Sequence, residues 1–323
     1  MSSWISVSAW RKWWSPTNKV VHHLRLKGAI ADARGPNLSL RSLEKALAAA
    51  FDKSKNQRLA AVAISINSPG GSPVQSSLIY GRIRALADEN EVPVFTFAED
   101  VAASGGFWLL TAGDVGRVYA DPASLVGSIG VVTGGFGMVG LIEKLGVERR
   151  LLHAGKSKAR SDPFSPVKEA DQAKTKEILS DMHVLFESHV RASRGGKLAE
   201  ERAEDIFSGD VWLGKEAKDL GLVDDLGTMR SVIRKEYGEE VEIKEVKAGP
   251  EVPWPFSTLT GSMGVVSTMG IGGFGSAGGR EQQIDLRVGE VSASIPASAA
   301  GAVAEALEER AAEHALMARY RVW

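Results

Sequence analysis

Hydrophobic and polar positions alternate in blocks along the first half of the chain, and each block predicts an element. Val20 to Leu26 reads as a strand, Leu38 to Phe51 as an amphipathic helix with apolar Leu40, Leu43, Leu47 and Phe51, and Leu59 to Ile66 as a buried strand. The turn Asn67-Ser68-Pro69-Gly70-Gly71 follows at once. A helix from about Pro73 to Asp88, a strand from Val92 to Ala98, a Ser-Gly-Gly turn opening a helix near Ser104 and a short strand at Arg117 to Ala120 complete the run. Such alternation predicts βαβ crossovers and an α/β layer of parallel strands, with ligands at the strands' carboxyl ends.

From Pro166 to Ser193 the period becomes helical and charged, with Ile178, Met182, Leu185 and Phe186 on one spacing, and shorter helices fit Leu198 to Ile206 and Gly214 to Leu220. The composition changes at Gly249. Pro250, Pro253 and Pro255 lead into an irregular stretch, Thr258 to Gly279, rich in Gly, Ser, Thr and Met. Val303, Leu307, Ala311 and Leu316 then restore a loose helical spacing within Ser298 to Tyr320, which suits a surface or partner-binding helix. No internal repeat is present.

Composition adjusts this picture mainly by exclusion. The 323 residues carry a formal net charge of -1, with 44% hydrophobic and 24% charged residues, so there is no general pull toward nucleic acid or anionic lipid. Cysteine is absent, which removes disulfides, thiolate nucleophiles and cysteine-bound metals. No run approaches the ~20 apolar residues of a spanning helix, and the opening MSSWISVSAWRKWW lacks the apolar core of a secretory signal. Between Met1 and Ala31 there is no acidic residue, while Arg11, Lys12, Lys19, Arg25 and Lys27 stand among Trp4, Trp10, Trp13 and Trp14. That mixture suits a membrane-surface anchor, an organelle transit peptide or a loose terminus packed by its tryptophans. The expected location is therefore cytoplasmic, peripheral to a membrane, or an organelle reached by the transit peptide.

Two turns carry candidate chemistry. The glycines of Asn67-Ser68-Pro69-Gly70-Gly71 permit positive φ and leave backbone N–H groups uncovered, as an oxyanion site requires, although any tight strand-to-helix turn uses Pro and Gly in the same way. One βα unit later, Ala102-Ala103-Ser104-Gly105-Gly106 repeats the arrangement around a serine flanked by small residues. Read alone, Ser104 is a helix N-cap. Read with the first turn, it is a nucleophile beside N–H groups that converge from two neighbouring strands. The hydroxyl then needs a base. Of His22, His23, His153, His183, His189 and His314, the pattern places only His153 near the site. Gly155-Lys156-Ser157-Lys158 follows an expected strand close by. A lysine in a partly desolvated cleft can lose its proton near neutral pH, and both lysines also read as solvated loop charges.

Four segments, in order, resemble the motifs of the signal peptide peptidase A family: Ile66-Asn67-Ser68-Pro69-Gly70-Gly71, Ala103-Ser104-Gly105-Gly106, Val126-Gly127-Ser128-Ile129-Gly130-Val131 and Gly155-Lys156-Ser157-Lys158. Lys215 to Asp224 resembles that family's closing helix and turn, so the likeness runs from about Val20 to Val246. It implies an α/β fold of the Clp/crotonase-like type, a layered parallel-sheet core with flanking helices, and a serine–lysine dyad of Ser104 and Lys158. Lys158, rather than Lys156, takes the place of the family lysine. Ser128 matches a serine that hydrogen-bonds that lysine, and Gly105 with the Gly70-Gly71 turn matches the oxyanion donors, the choice between Gly70 and Gly71 staying open. Two departures stand out: a longer link from Ser104 to Ser128 near Asp114-Val115-Gly116, and no N-terminal membrane span. The implied division is a Trp/basic segment at residues 1–19, a peptidase domain at 20–246, a Pro/Gly-rich linker at 247–283 and an extension with a helix at 284–323.

The activity so implied is hydrolysis of peptide bonds in extended apolar segments such as remnant signal peptides, with no metal and no cofactor. The expected partners are a peptide or protein carrying such a segment, further copies of the chain in a homo-oligomer, and a membrane surface met by the N-terminal segment. Nucleic acid is not expected. Relatives with one catalytic domain form rings or domes, where the serine and lysine of one site can come from adjacent protomers. Three rivals remain: a Clp-type serine–histidine protease, which the lack of a histidine expected near Ser128 disfavours, a catalytically silent scaffold that binds peptides or membrane partners, and an acyl-CoA enzyme of the crotonase branch, in which the lysine motif has no purpose.

Overall fold

The computed structural model describes residues 19–33, 35, 37–54 and 56–248. Residues 1–18 of the Trp/basic segment, the expected linker from residue 249 onward and the helix expected at Ser298 to Tyr320 lie outside the described residues. Eight strands form one sheet: β1 (Val20–Lys27), β2 (Leu59–Ser68), β3 (Val94–Ala103), β4 (Val118–Ala120), β5 (Leu125–Gly127), β6 (Val211–Leu213), β7 (Asp225–Leu226) and β8 (Glu242–Val246). The main path is β6-β5-β3-β2-β1-β8, with β4 on β3 and β7 on β4. Every pairing is parallel except β5 with β6. This is the expected α/β fold, a mostly parallel sheet with flanking helices.

The helices are α1 (Leu40–Phe51), α2 (Pro73–Asn90), α3 (Gly105–Leu110), α4 (Val139–Lys144), α5 (Glu169–Arg194), α6 (Ala203–Ile206), α7 (Gly214–Asp219) and α8 (Met229–Tyr237). Local chemistry fixes their ends. Ser39 caps α1 in a reciprocal box with Ser42, and Ser72 caps α2 with Pro73 in its first turn. In α5, Glu169 and Asp171 open the helix and Arg191 and Arg194 close it, each matching the helix dipole. The larger core joins Leu24, Ile64 and Ile66 of the sheet to Leu43, Phe51, Ile79 and Ile83 of α1 and α2. On the other face Val21, Ala61, Ala63, Phe95 and Phe97 are covered by Ile233 of α8.

Strand β3 changes neighbours along its length, pairing with β4 over Thr96 to Ala98 and with β5 over Val101 to Ala103. The sequence pattern ends this strand at Ala98 because Glu99 and Asp100 break the apolar run, but the backbone continues to Ala103. Those two acids sit at the split, where Arg25 meets Glu99 and Asn67 meets Asp100 at 2.6 Å. The split carries the end of β3 away from β4 and toward β5.

Candidate active site

Both glycine turns leave the carboxyl ends of adjacent strands, and they touch. Gly70 has φ 95°, and a Cβ there would stand 2.6 Å from the Gly105 nitrogen and 2.8 Å from Ser104 Cβ. A Cβ on Gly105 would collide with the Ser76 hydroxyl of α2. Side chains at either position would push the turns apart, so close approach, beyond turn geometry, accounts for the glycines.

Ser104 stands at φ 51°, ψ -122° at the head of α3, an uncommon conformation for a residue with a side chain. Its backbone is held by the Gly127 carbonyl, 2.8 Å from its N–H, and by the Trp108 N–H, 3.0 Å from its carbonyl. Its side chain makes no capping bond and has no hydrogen-bond partner among the described residues. Ser104 thus holds the N-cap position through its backbone alone, and a capping role for its side chain fails on geometry. Of the two candidate amides in the first turn, that of Gly70 donates to Ser68 Oγ at 3.1 Å. The amides of Gly71 and Gly105 have no acceptor among the described residues.

These groups line one groove of about 830 Å³, to which Gly71, Ser104, Gly105 and Ser128 all contribute. Ser128 follows Gly127 at the end of β5 with φ 52°, its N–H fixed to the Asp210 carbonyl at 2.6 Å, and its hydroxyl has no partner among the described residues. One wall is the face of α5 bearing Ile178, Leu179, Met182 and Phe186; the other is the run Gly130, Val131 and Val132, which is neither helix nor strand. No ionisable side chain is among the residues lining this groove. Gly70 lies just behind it, against Ser104.

Lys158 is not in the groove. It sits in an exposed turn, its N–H bonded to the Gly155 carbonyl at 3.1 Å, within the run 131–168. The strand expected before Gly155 is absent: between Ser128 and α5 this run holds the short helix α4 and no strand. An isolated strand would leave its backbone unpaired, and no neighbouring strand is present there. The run instead exposes apolar side chains, with Val132 90% exposed and Leu152 97%.

The histidines also differ from expectation. His153 is exposed in that run, its Nδ1 3.1 Å from the Gly155 carbonyl. Two histidines of α5 lie closer to the groove. His183 places Nε2 3.2 Å from the carbonyl of Ile129, next to Ser128. His189 stacks on Trp108, ring centroids 4.0 Å apart and planes within 9°, with Tyr80 edge-on at 4.6 Å. Thr111 Oγ1 donates to the Trp108 carbonyl at 2.7 Å, so His189 Nε2, 2.9 Å from that oxygen, is the donor to it. Burial pushes His189 down to about 4, leaving it neutral at pH 7. Both signals were present in the sequence: Trp108 lies one turn after Ser104, and His189 continues the stripe Ile178, Met182, Phe186.

Beyond the groove, α5 is locked at its far end by Arg194, which meets Asp224 at 2.8 Å with both side chains buried. Burial would raise Asp224, but bonds from Arg194 and Lys197 hold its carboxyl below the usual range.

Comparison with known proteins gives the following. The profile of peptidase family S49 matches residues 87–244. A protein of Synechocystis with a provisional protease name is 30% identical over 212 residues, 66% of this chain and 71% of its own. The chloroplastic serine protease SPPA of Arabidopsis thaliana is 29% identical over 214 residues, 65% of this chain and 31% of that protein. A Brucella abortus protein named Na(+)/H(+) antiporter NhaA is 48% identical over 227 residues, 69% of this chain. The chain spans only 30% of that protein's length. No helix among the described residues is long and apolar enough to cross a membrane.

Proposed function

The chain belongs to peptidase family S49, and on that premise we propose that it is a serine endopeptidase acting on extended apolar segments, with Ser104 as nucleophile and Lys158 of a neighbouring protomer as general base. The observation that carries the reading is the groove itself. The Ser104 and Ser128 hydroxyls and the amides of Gly71 and Gly105, none with a hydrogen-bond partner among the described residues, meet there, and no ionisable side chain is among the residues lining it. In this reading the groove supplies the nucleophile and the oxyanion site, and none of the described residues lining it could serve as the base. Lys158 stands on an exposed run flanked by exposed Val132, Leu152 and Val167, a surface suited to contact with a second copy. A lysine entering the groove loses water and meets no carboxylate, and both effects favour its neutral amine.

In this reading the neutral Lys158 amine takes the proton from Ser104 Oγ as that oxygen attacks the substrate carbonyl carbon. The amides of Gly71 and Gly105 receive the oxyanion, and the Ser128 hydroxyl orients the lysine. The lysine ammonium then protonates the leaving amine as the C–N bond breaks, giving an ester on Ser104. Water, deprotonated by the lysine, attacks the ester and restores the serine. The apolar α5 face receives substrate side chains, while the backbone from Gly130 to Val132 can pair with an extended substrate. Fluorophosphonate labelling tests the nucleophile: wild type should be labelled and Ser104→Ala should not. Equal labelling of the two would end the reading.

A further inference from the structure

The walls of the groove come from distant stretches of the chain, and one hydrogen bond ties them together. His183 Nε2 on α5 lies 3.2 Å from the carbonyl of Ile129, in the segment that continues into Gly130, Val131 and Val132. A carbonyl only accepts, so Nε2 carries the proton. The tie matters because packing does little on this half of the helix. No α5 residue before Phe186 is fully buried, while Phe186, Val190 and Arg194 anchor the far half. Ile178, Leu179 and Met182, which face the groove, thus belong to the weakly packed part. On the opposite wall Ile129 is fully buried and Ser128 is fixed to Asp210, so that side is firm.

We propose that His183 is a positioning residue that sets the width of the substrate groove by holding the near half of α5 against the Ser128 turn. The inference rests on the reading of Ser104 as nucleophile beside a peptide-binding groove. His183 does not touch the reacting atoms in this account. Its loss should weaken the grip on a long peptide while leaving the Ser104 hydroxyl as reactive as before.

The experiment compares wild type, His183→Ala and His183→Gln in the full-length chain, the glutamine amide N–H reaching about as far as Nε2–H. In His183→Ala, KM for an extended apolar peptide should rise about tenfold with kcat within about twofold, the scale of one lost hydrogen bond. His183→Gln should restore most of that loss, and a small fluorophosphonate should label Ser104 at the same rate in all three. An unchanged KM in His183→Ala, or a glutamine variant as impaired as alanine, overturns the inference. Loss of labelling in His183→Gln to the level of Ser104→Ala would make His183 the general base and overturns it too. If His183→Ala melts below the assay temperature, the near-isosteric pair His183→Gln and His183→Glu decides, because a carboxylate cannot donate. A wild type that is never labelled would remove the nucleophile reading alone. Anisotropy of a fluorescent apolar peptide, comparing Kd across the same variants, would still judge the groove claim.

Discussion

The two glycine turns and the run 131–168 are built on opposite terms. The turns rest on buried strands: Ala102, Gly105 and Gly106 are buried, the backbones of Gly70 and Gly105 touch, and the Ser104 backbone is bonded on both sides. The run that carries Lys158 has no strand, no fully buried residue from 131 to 168, and leaves Val132 and Leu152 almost wholly exposed. One region is complete within a single chain. The other has the composition of a surface awaiting cover. The proposed nucleophile and oxyanion donors thus rest on the core, whereas the proposed base needs an assembly.

Substitutions can separate the two regions. The largest effects are expected at Ser104→Ala and Lys158→Ala, each lowering turnover of an unfolded apolar peptide on the order of 10³-fold or more. Circular dichroism should report a native fold in both. A Lys158 variant that keeps wild-type turnover would break the comparison at its weaker side.

Next comes Gly105→Ala. The new methyl group meets the Ser76 hydroxyl and displaces the proposed oxyanion amide, so kcat should fall roughly 10²-fold. Asp224→Asn comes third, and it affects stability. It leaves Arg194 buried without its anion, and urea titration should show a loss of about 3–5 kcal/mol. Because the folded-state pKa of Asp224 is depressed, its contribution is present above the unfolded value near ~3.9 and lost as pH falls through the lower folded value.

A milder effect attaches to His189. Its folded pKa, about 4, lies below the ordinary 6.5, so the unfolded chain binds the proton first as pH falls. Stability should be full above pH 6.5 and decline toward pH 4. His189→Phe, which keeps a ring under Trp108, should flatten that decline in melting curves. Smallest of all, Lys156→Ala and His153→Ala should change turnover less than about twofold, since both are exposed side chains of the same run to which the proposed mechanism gives no role. A large loss in His153→Ala would transfer the base to a histidine.

The contrast also explains what the sequence could reveal. Alternating apolar blocks located β1, β2, α1, α2 and the two turns, because those elements bury one face or both and leave a period. Family motifs pointed to Ser104, Ser128 and the glycines, and the structure brings Ser104, Gly71, Gly105 and Ser128 to one groove with Gly70 packed behind. Strands β5, β6 and β7, of two or three residues, are too short to show a period and exist through pairing with distant partners. The end of β3 was hidden by Glu99 and Asp100, which are polar because the sheet splits there. His183 was passed over as one polar residue on a charged helix, since its role depends on a contact with Ile129 that no local spacing encodes.

The most direct test of a base supplied by a neighbouring protomer is to mix two inactive proteins, Ser104→Ala and Lys158→Ala, under conditions where subunits exchange. Differently tagged chains recovered together would establish co-assembly. A shared site pairs the intact serine of one protomer with the intact lysine of the next, so peptidase activity should return, to about a quarter of wild type for random equimolar mixing. Co-assembled chains that stay at the background of either parent would contradict the account.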